Sequence, residues 1–390
     1  MSQPDGPTSP RALPVLSNRS PRESHDLSLA KRLRAFAEPA QLFSHDSEGT
    51  LRCTACAHRC VLQNNREGAC GVRFSQDGVL YAPRNYVARQ YVRSVEINTV
   101  FHVRPGARAL TFGMFGCDLR CPYCHNWRVS QALREQDVDD ESPLAMTAQA
   151  LVQSAIDSQC TVICAAYNEP MIAAEWVREV FAEAKSKGLV TAVISDGHTT
   201  QEALAHIRPV TDVFRVDLKA SEPEQYRALG GRLAPVLEGI ALAHAMGFWV
   251  EVVTMVVPGF NNELHGLRTL ASHIAAISQD IPWHLNAFVP RYKLGDRPRM
   301  EMHELASAVG MGYARGLKYV YASNAPGGLT ELSHTRCPEC ATTLVTREDY
   351  RTTSNSLKNN GECSRCGYVL AGLFGDGGTV GEALGEGEAP

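Results

Sequence analysis

From about residue 109 the chain alternates short apolar runs with longer amphipathic stretches. Runs over 109–115, 161–167, 189–195, 213–218, 248–257 and 283–289 read as strands, and 318–322 resembles one more. Between them the spacing predicts helices, for example over 171–187, closed by Gly188, and over 234–246 and 264–277. Strands alternating with helices of this length imply βαβ units and a parallel sheet, hence the α/β class. Some six repeats without an evident switch of direction favour an open or partial (β/α) barrel. A doubly wound open sheet is the alternative, which periodicity does not separate from it. In a barrel, reactive groups gather at the C-terminal ends of the strands.

The flanks are different. Residues 1–44 are rich in Pro, Ser and Arg and read as a disordered or loosely packed extension. A four-cysteine segment follows over 45–104, the barrel over 105–328, and a second four-cysteine module over 329–375. The Gly- and Glu-rich stretch 376–390 reads as a disordered tail. With 390 residues, 44% hydrophobic and 21% charged, the chain has room for one large domain and small appendages. A net charge of −4 gives no indication of a nucleic-acid binder. No apolar run approaches the roughly 18–20 residues of a membrane span, and the start of the chain lacks a signal-peptide pattern. A cytoplasmic location is the expectation.

Thirteen cysteines change the picture, because eleven fall in three tight clusters. In a long chain without a signal peptide, such pairs read as metal ligands rather than disulfides. Cys160 and Cys164 lie apart, in an apolar run, and read as core thiols. The central cluster, Cys117, Cys121 and Cys124, has the spacing C-x3-C-x2-C on a loop directly after a strand. Three thiolates can bind three irons of a cubane and leave the fourth open to the amine and carboxylate of a small molecule. The rival is zinc, or a ferredoxin-type cluster completed by Cys160 or Cys164.

Tyr123, directly before the last cysteine, completes a C-x3-C-x-aromatic-C segment that looks like the signature of radical S-adenosylmethionine (SAM) enzymes. More narrowly, residues from about 52 to 374 resemble the AmmeMemoRadiSam system radical SAM enzymes, relatives of the pyruvate formate-lyase activating enzymes. The resemblance rests on CTACAHRCVLQNNREGACGVR, CDLRCPYCHNW, YNEP, VDLKA, PWHLNAFVP, YASN and CPEC…CSRCGYVLAG, in that order. It implies a partial (β/α)6 TIM-like barrel, a 4Fe–4S cluster on Cys117, Cys121 and Cys124, and SAM as cofactor. By the same resemblance Tyr123 stands near the adenine and Glu169 holds the SAM amino group. The relatives' two glycines before that glutamate are replaced here by Tyr167 and Asn168. Asp217 and Lys219 match positions near the SAM carboxylate, His284 a ribose contact, and Asp196 a ribose or methionine contact. Each of these groups stands at or near the end of an expected strand. Plainer roles exist for each: Glu169 starting a helix ahead of Pro170, Asp217 and Lys219 as a solvated pair, His284 as a core histidine.

Cys337-x2-Cys340 and Cys363-x2-Cys366, 22 residues apart, form two knuckles that suit tetrahedral zinc in a small ribbon. Rubredoxin-like iron or an auxiliary cluster is the alternative. Cys53, Cys56, Cys60 and Cys70 fit either zinc or a second Fe–S cluster, and His58 reads as a surface residue. The functional expectation is reductive cleavage of SAM to a 5′-deoxyadenosyl radical that takes hydrogen from a substrate. A protein or peptide substrate, an external electron donor, and Memo-type or AMMECR-type partners follow from the resemblance. The competing readings are a non-catalytic metal-binding scaffold and an Fe–S electron-transfer protein.

Overall fold

Seven apolar runs become parallel strands: β1 (Arg108–Gly113), β2 (Val162–Ala165), β3 (Val190–Ser195), β4 (Val213–Asp217), β5 (Trp249–Val256), β6 (Trp283–Ala287) and β7 (Val320–Ser323). They pair strictly in chain order, with Val162 opposite both Ala109 and Val190, and the order never reverses as it would in a doubly wound sheet. The seventh strand falls on the run over 318–322 that resembled one more. An eighth, antiparallel strand, Arg89–Ser94, covers the outer edge of β1 and was not foreseen, since its positions are only half-buried. The computed structural model describes residues 28–45, 47, 49–135, 141–324, 330–348 and 350–375. The tail expected over 376–390, and most of the extension expected over 1–44, lie outside them.

Helices return the chain between strands. Ala174–Ser186 buries Trp176, Val177, Val180, Phe181 and Ala184, the i, i+3, i+4 stripe of a helix laid on a sheet. The helix expected over 171–187 is split, because Pro170–Ala173 forms a 3₁₀ turn first, with Glu169 capping Met171 N–H at 3.0 Å. Leu264–Ile277 and Leu233–Ala245 fall where the pattern places them, the latter shifted by one residue.

Inside the barrel, Ala109, Val162, Cys164, Ala192, Ile194 and Val213 form one apolar cluster with Val95, Val100, Val103 and Ala107. The segment 95–107 therefore fills one end of the barrel. Its backbone is tied in by buried polar groups: Arg215 Nε donates to the Asn98 carbonyl at 3.1 Å, and Glu251 accepts from Phe101 and His102 N–H, both at 2.9 Å.

The C-terminal module backs this plug. Thr335–Arg336, Thr343–Glu348 and Arg351–Asn355 make a three-stranded antiparallel sheet. Phe101, Tyr319 and Tyr321 pack with Cys337, Leu344, Cys363, Leu370 and Phe374. Buried Arg347 donates to the carbonyls of Ser333 and Phe101 and stands 4.1 Å over the Phe101 ring.

On the opposite flank, residues 28–45 are folded, which corrects the loosely packed extension expected up to residue 44. Leu29–Arg34 is a helix whose Leu29 and Leu33 are buried, and Ala37–Pro39 pairs with Val79–Pro83. Apolar positions too few to show periodicity are sufficient once a sheet is present to receive them. Among the described residues no helix is long and apolar enough to cross a membrane.

Candidate active site

The loop after β1 is held by hydrogen bonds to its backbone groups, none of which uses a thiol. Met114 N–H donates to Asn168 Oδ1 at 3.0 Å, Gly116 N–H to Val129 O at 3.2 Å, and Arg120 N–H to Leu229 O at 2.7 Å. Arg134 reaches back to the carbonyls of Leu119 (2.9 Å) and Cys117 (2.6 Å). Cys117, Cys121 and Cys124 therefore stand just past the C-terminal end of β1, where a barrel collects its chemistry. Cys160 and Cys164 do not approach them. Cys164 lies inside β2, opposite Thr111 and Ala192, and Cys160 just before that strand. Neither completes a ferredoxin-type set.

Carboxylates crowd the loop. Cys117 Sγ lies 3.9 Å from Asp196 Oδ2 and 4.0 Å from Asp118 Oδ1. Burial pushes the Cys117 thiol well up, and Asp196, Asp118 and Glu169 add to it. Burial pushes Cys121 up to about 12, although Lys219 pulls the other way. Such thiols stay protonated until a metal takes the proton's place, so loading the site releases protons. Cys124 Sγ meets Ser130 Oγ at 3.1 Å.

Glu169, 2% exposed, accepts from Met171 N–H (3.0 Å), Ser195 Oγ (2.9 Å) and Asp196 N–H (2.7 Å). It thus starts a helical turn, as the plainer reading had it, and also joins the end of β2 to the end of β3. Burial, then the nearby Asp118 charge, pushes it up to about 7 against those hydrogen bonds. Lys219 Nζ bonds Asp217 Oδ2 at 3.1 Å, and Arg215 bonds the other oxygen. This pair is not simply solvated, since the Lys219 side chain is only 14% exposed. Burial would lower the Lys219 ammonium, but Asp217, Cys121, Tyr123 and Asp196 together hold it well above its usual value. Tyr123, buried, stands among these groups with its hydroxyl unpartnered among the described residues. Five of the positions singled out from the sequence, Tyr123, Glu169, Asp196, Asp217 and Lys219, therefore share one neighbourhood with the three thiols of the loop.

His284 is not with them. It is fully buried in β6, with Nε2 on Glu251 at 2.7 Å, its ring stacked on Tyr321 and edge-on to Phe101. It belongs to the plugged end of the barrel, so the expected ribose contact is corrected to a core histidine. Asn286 and Ser323, side by side at the ends of β6 and β7, lie nearer the mouth and were passed over. Asn286 Oδ1 and Ser323 Oγ are buried and unpartnered among the described residues. Their only sequence signal was the strand-end position itself.

Sequence reasoning also missed Asp118, inside the cysteine loop, which bonds His198 Nδ1 at 2.9 Å. His58 is not a surface residue. Its Nε2 meets the Asp118 carbonyl at 3.1 Å and its ring lies 4.8 Å from that of His198.

In the C-terminal module Cys337, Cys340, Cys363 and Cys366 converge, with Sγ–Sγ separations of 3.6 and 3.8 Å across the two knuckles. Four thiols so placed can bind a metal ion. In the N-terminal segment Cys53, Cys56 and Cys70 are buried and Cys60 partly so. Burial raises the Cys56 thiol well up, with Asp118, Cys70 and Cys53 adding to the effect.

Residues 112–270 match the model of the Radical SAM superfamily. An uncharacterized protein of Methanocaldococcus jannaschii is 30% identical over 330 residues, spanning 84% of this chain and 96% of its own. A pyruvate formate-lyase-activating enzyme of Staphylococcus aureus is 25% identical over 200 residues, 46% of this chain and 76% of that protein. Among solved structures, a radical SAM methyltransferase from Sphaerobacter thermophilus aligns over 74% of this chain and 78% of its own at 12% identity, with a TM-score of 0.44. The matched segment begins within β1, takes in the cysteine loop and ends in the helix after β5, and with it the chain belongs to the radical SAM superfamily as a relative of the pyruvate formate-lyase activating enzymes.

Proposed function

We propose that this radical SAM enzyme is activase-like, of the AmmeMemoRadiSam type, and that it takes hydrogen from a protein or peptide substrate. The observation that carries the reading is the gathering of Cys117, Cys121 and Cys124 with Glu169, Asp196, Asp217 and Lys219 at one mouth of the barrel, while the other ten cysteines are placed elsewhere. Three thiols on a tight loop suit a 4Fe–4S cluster with one iron left for SAM. That pair supplies one-electron cleavage of SAM to a 5′-deoxyadenosyl radical when bound.

The chain's own residues bind and orient. Glu169 and Asp196 are suited to the SAM ammonium through charge-assisted hydrogen bonds, and Lys219 to its carboxylate. Tyr123 supplies an apolar face toward the adenine. The plug over 95–107 excludes water from the far end, which protects a radical from stray hydrogen donors. An external one-electron donor is required, Memo-type or AMMECR-type proteins are the partners the resemblance suggests, and zinc is the ion proposed for Cys337, Cys340, Cys363 and Cys366. So many reduced thiols accord with a cytoplasmic setting.

The test is anaerobic reconstitution with iron and sulfide, followed by reduction with SAM present. 5′-Deoxyadenosine should form in the wild type and be absent from Cys117→Ala, Cys121→Ala and Cys124→Ala. A wild-type cluster whose spectrum SAM leaves unchanged overturns the reading.

A further inference from the structure

We infer that Cys53, Cys56, Cys60 and Cys70 hold a second iron–sulfur cubane rather than a zinc ion, and that it passes single electrons to the Cys117–Cys121–Cys124 site. The identity of the metal group stands on geometry alone; the relay role rests on the function proposed above.

The two kinds of site ask for different spacing. Zinc–sulfur bonds of about 2.3 Å in a tetrahedron put neighbouring sulfurs about 3.8 Å apart. A cubane spreads its thiolates to about 6 Å. The C-terminal four meet the first condition, all lying within 4.8 Å of one another. No three of the N-terminal four do, although all are described and all belong to one short segment. Nor do Cys117, Cys121 and Cys124 all lie within 4.8 Å of one another. The same chain thus has one thiol set drawn together as zinc requires, and the N-terminal thiols, like those of the central loop, are not drawn together in that way.

The surroundings agree. Ala69 N–H donates to Cys60 Sγ at 3.3 Å, the kind of N–H···S contact that tunes Fe–S potentials. His58, the one histidine between Cys53 and Cys70, has Nε2 on the Asp118 carbonyl instead. With four protein thiolates no iron remains open, so the chemistry left to the cluster is electron transfer.

Contacts then join one thiol set to the other. Arg134 Nη2 donates to the carbonyls of Ala69 and Cys117, each at 2.6 Å. A Cβ on Gly116 would lie 2.8 Å from the Cys70 carbonyl. His58 touches Asp118, and Ala57 N–H donates to His198 O at 2.9 Å. In the relay a low-potential electron-donor protein is oxidised by one electron, the N-terminal cluster is reduced by it and then reoxidised as the electron moves on. No bond forms or breaks and no proton moves.

The full-length protein is reconstituted anaerobically, and iron, sulfide and zinc are counted in the wild type and in the Cys117→Ala/Cys121→Ala/Cys124→Ala variant. About eight irons in the wild type and about four in the variant are expected. A variant free of iron that carries zinc at both outer sites overturns the cubane. Electron paramagnetic resonance of the reduced wild type gives a second readout that needs no substitution: two interacting signals are expected, and one isolated signal with about four irons overturns it. If the variant keeps its iron while the wild type never forms 5′-deoxyadenosine, the proposed function fails and the cubane stands. For the relay, Cys60→Ser is compared with a reduced low-potential flavoprotein and with dithionite as donors. At least a tenfold loss with the flavoprotein and little loss with dithionite is expected. Equal rates with the two donors, or equal losses, overturn the relay.

Discussion

Glu169 illustrates how one side chain can hold the frame and face the chemistry together. Its two oxygens accept from Ser195, Asp196 and Met171, which fixes the carboxylate at the seam between β2 and β3. Glu169→Gln would set an amide N–H₂ against those donors, a mismatch costing on the order of 1–3 kcal/mol. We expect SAM affinity to fall at least tenfold while iron content stays at the wild-type level, read by titrating the SAM-induced spectral change. Arg73 and Glu175 form a different buried pair, with contacts of 2.8 Å. Burial pushes the Glu175 carboxyl up, but the Arg73 charge and hydrogen bonds outweigh it and hold the group at about 2. A carboxyl held below its unfolded value stabilises the fold above that value, and the contribution fades as pH falls toward the folded one. Between about pH 5 and 3 the wild type should therefore lose about 2 kcal/mol more than Glu175→Gln, measured by urea unfolding across that range.

At the scale of elements, two loops meet where only a glycine fits. Gly116 has φ +93°, and a Cβ there would lie 2.8 Å from Cys70 O and 2.9 Å from Val72 Cγ1. Gly116→Ala should cost on the order of 1–3 kcal/mol in stability. It should also lower iron incorporation at both cysteine sets, which iron analysis with a melting curve would show; a fall in melting temperature with full iron would contradict the coupling. Asp118 lies in the same junction, bonded to His198 and touched by His58. Spacing rules flagged the cysteines around it because metal ligation needs identical donors at fixed short intervals. They passed over Asp118, whose partner is 80 residues away.

Across the whole molecule, the C-terminal module secures the plugged end of the barrel. Arg347 bridges the module and residue 101, and Thr352 Oγ1 donates at 2.5 Å to Glu96, which lies 3.7 Å from Arg347. Arg347→Met leaves Glu96 buried without its cation, so a loss of about 3–5 kcal/mol is expected in chemical denaturation. Chelator treatment directed at the four C-terminal thiols should lower the melting temperature of the entire protein rather than melt the module alone, because Cys337 and Cys363 share one cluster with Tyr319 and Tyr321. Two separate calorimetric transitions would contradict that.

The order of strands and helices, the α/β class and the three thiol sets were legible from the sequence, because each depends on local periodicity or on donors at short fixed spacing. The neighbourhood of Tyr123, Glu169, Asp196, Asp217 and Lys219 was legible in part, since position at a strand end carries over to position at a barrel mouth. Which strand-end groups face that mouth was decided only by the tertiary structure. His284 was captured by Glu251 from the adjacent strand, while Asn286, two residues on, donates its Nδ2 to Thr99 Oγ1 at 3.3 Å and keeps only its Oδ1 unpartnered among the described residues. The plug and the ordered 28–45 segment were likewise settled by long-range packing, whose partners lie up to hundreds of residues apart and leave no local pattern to read.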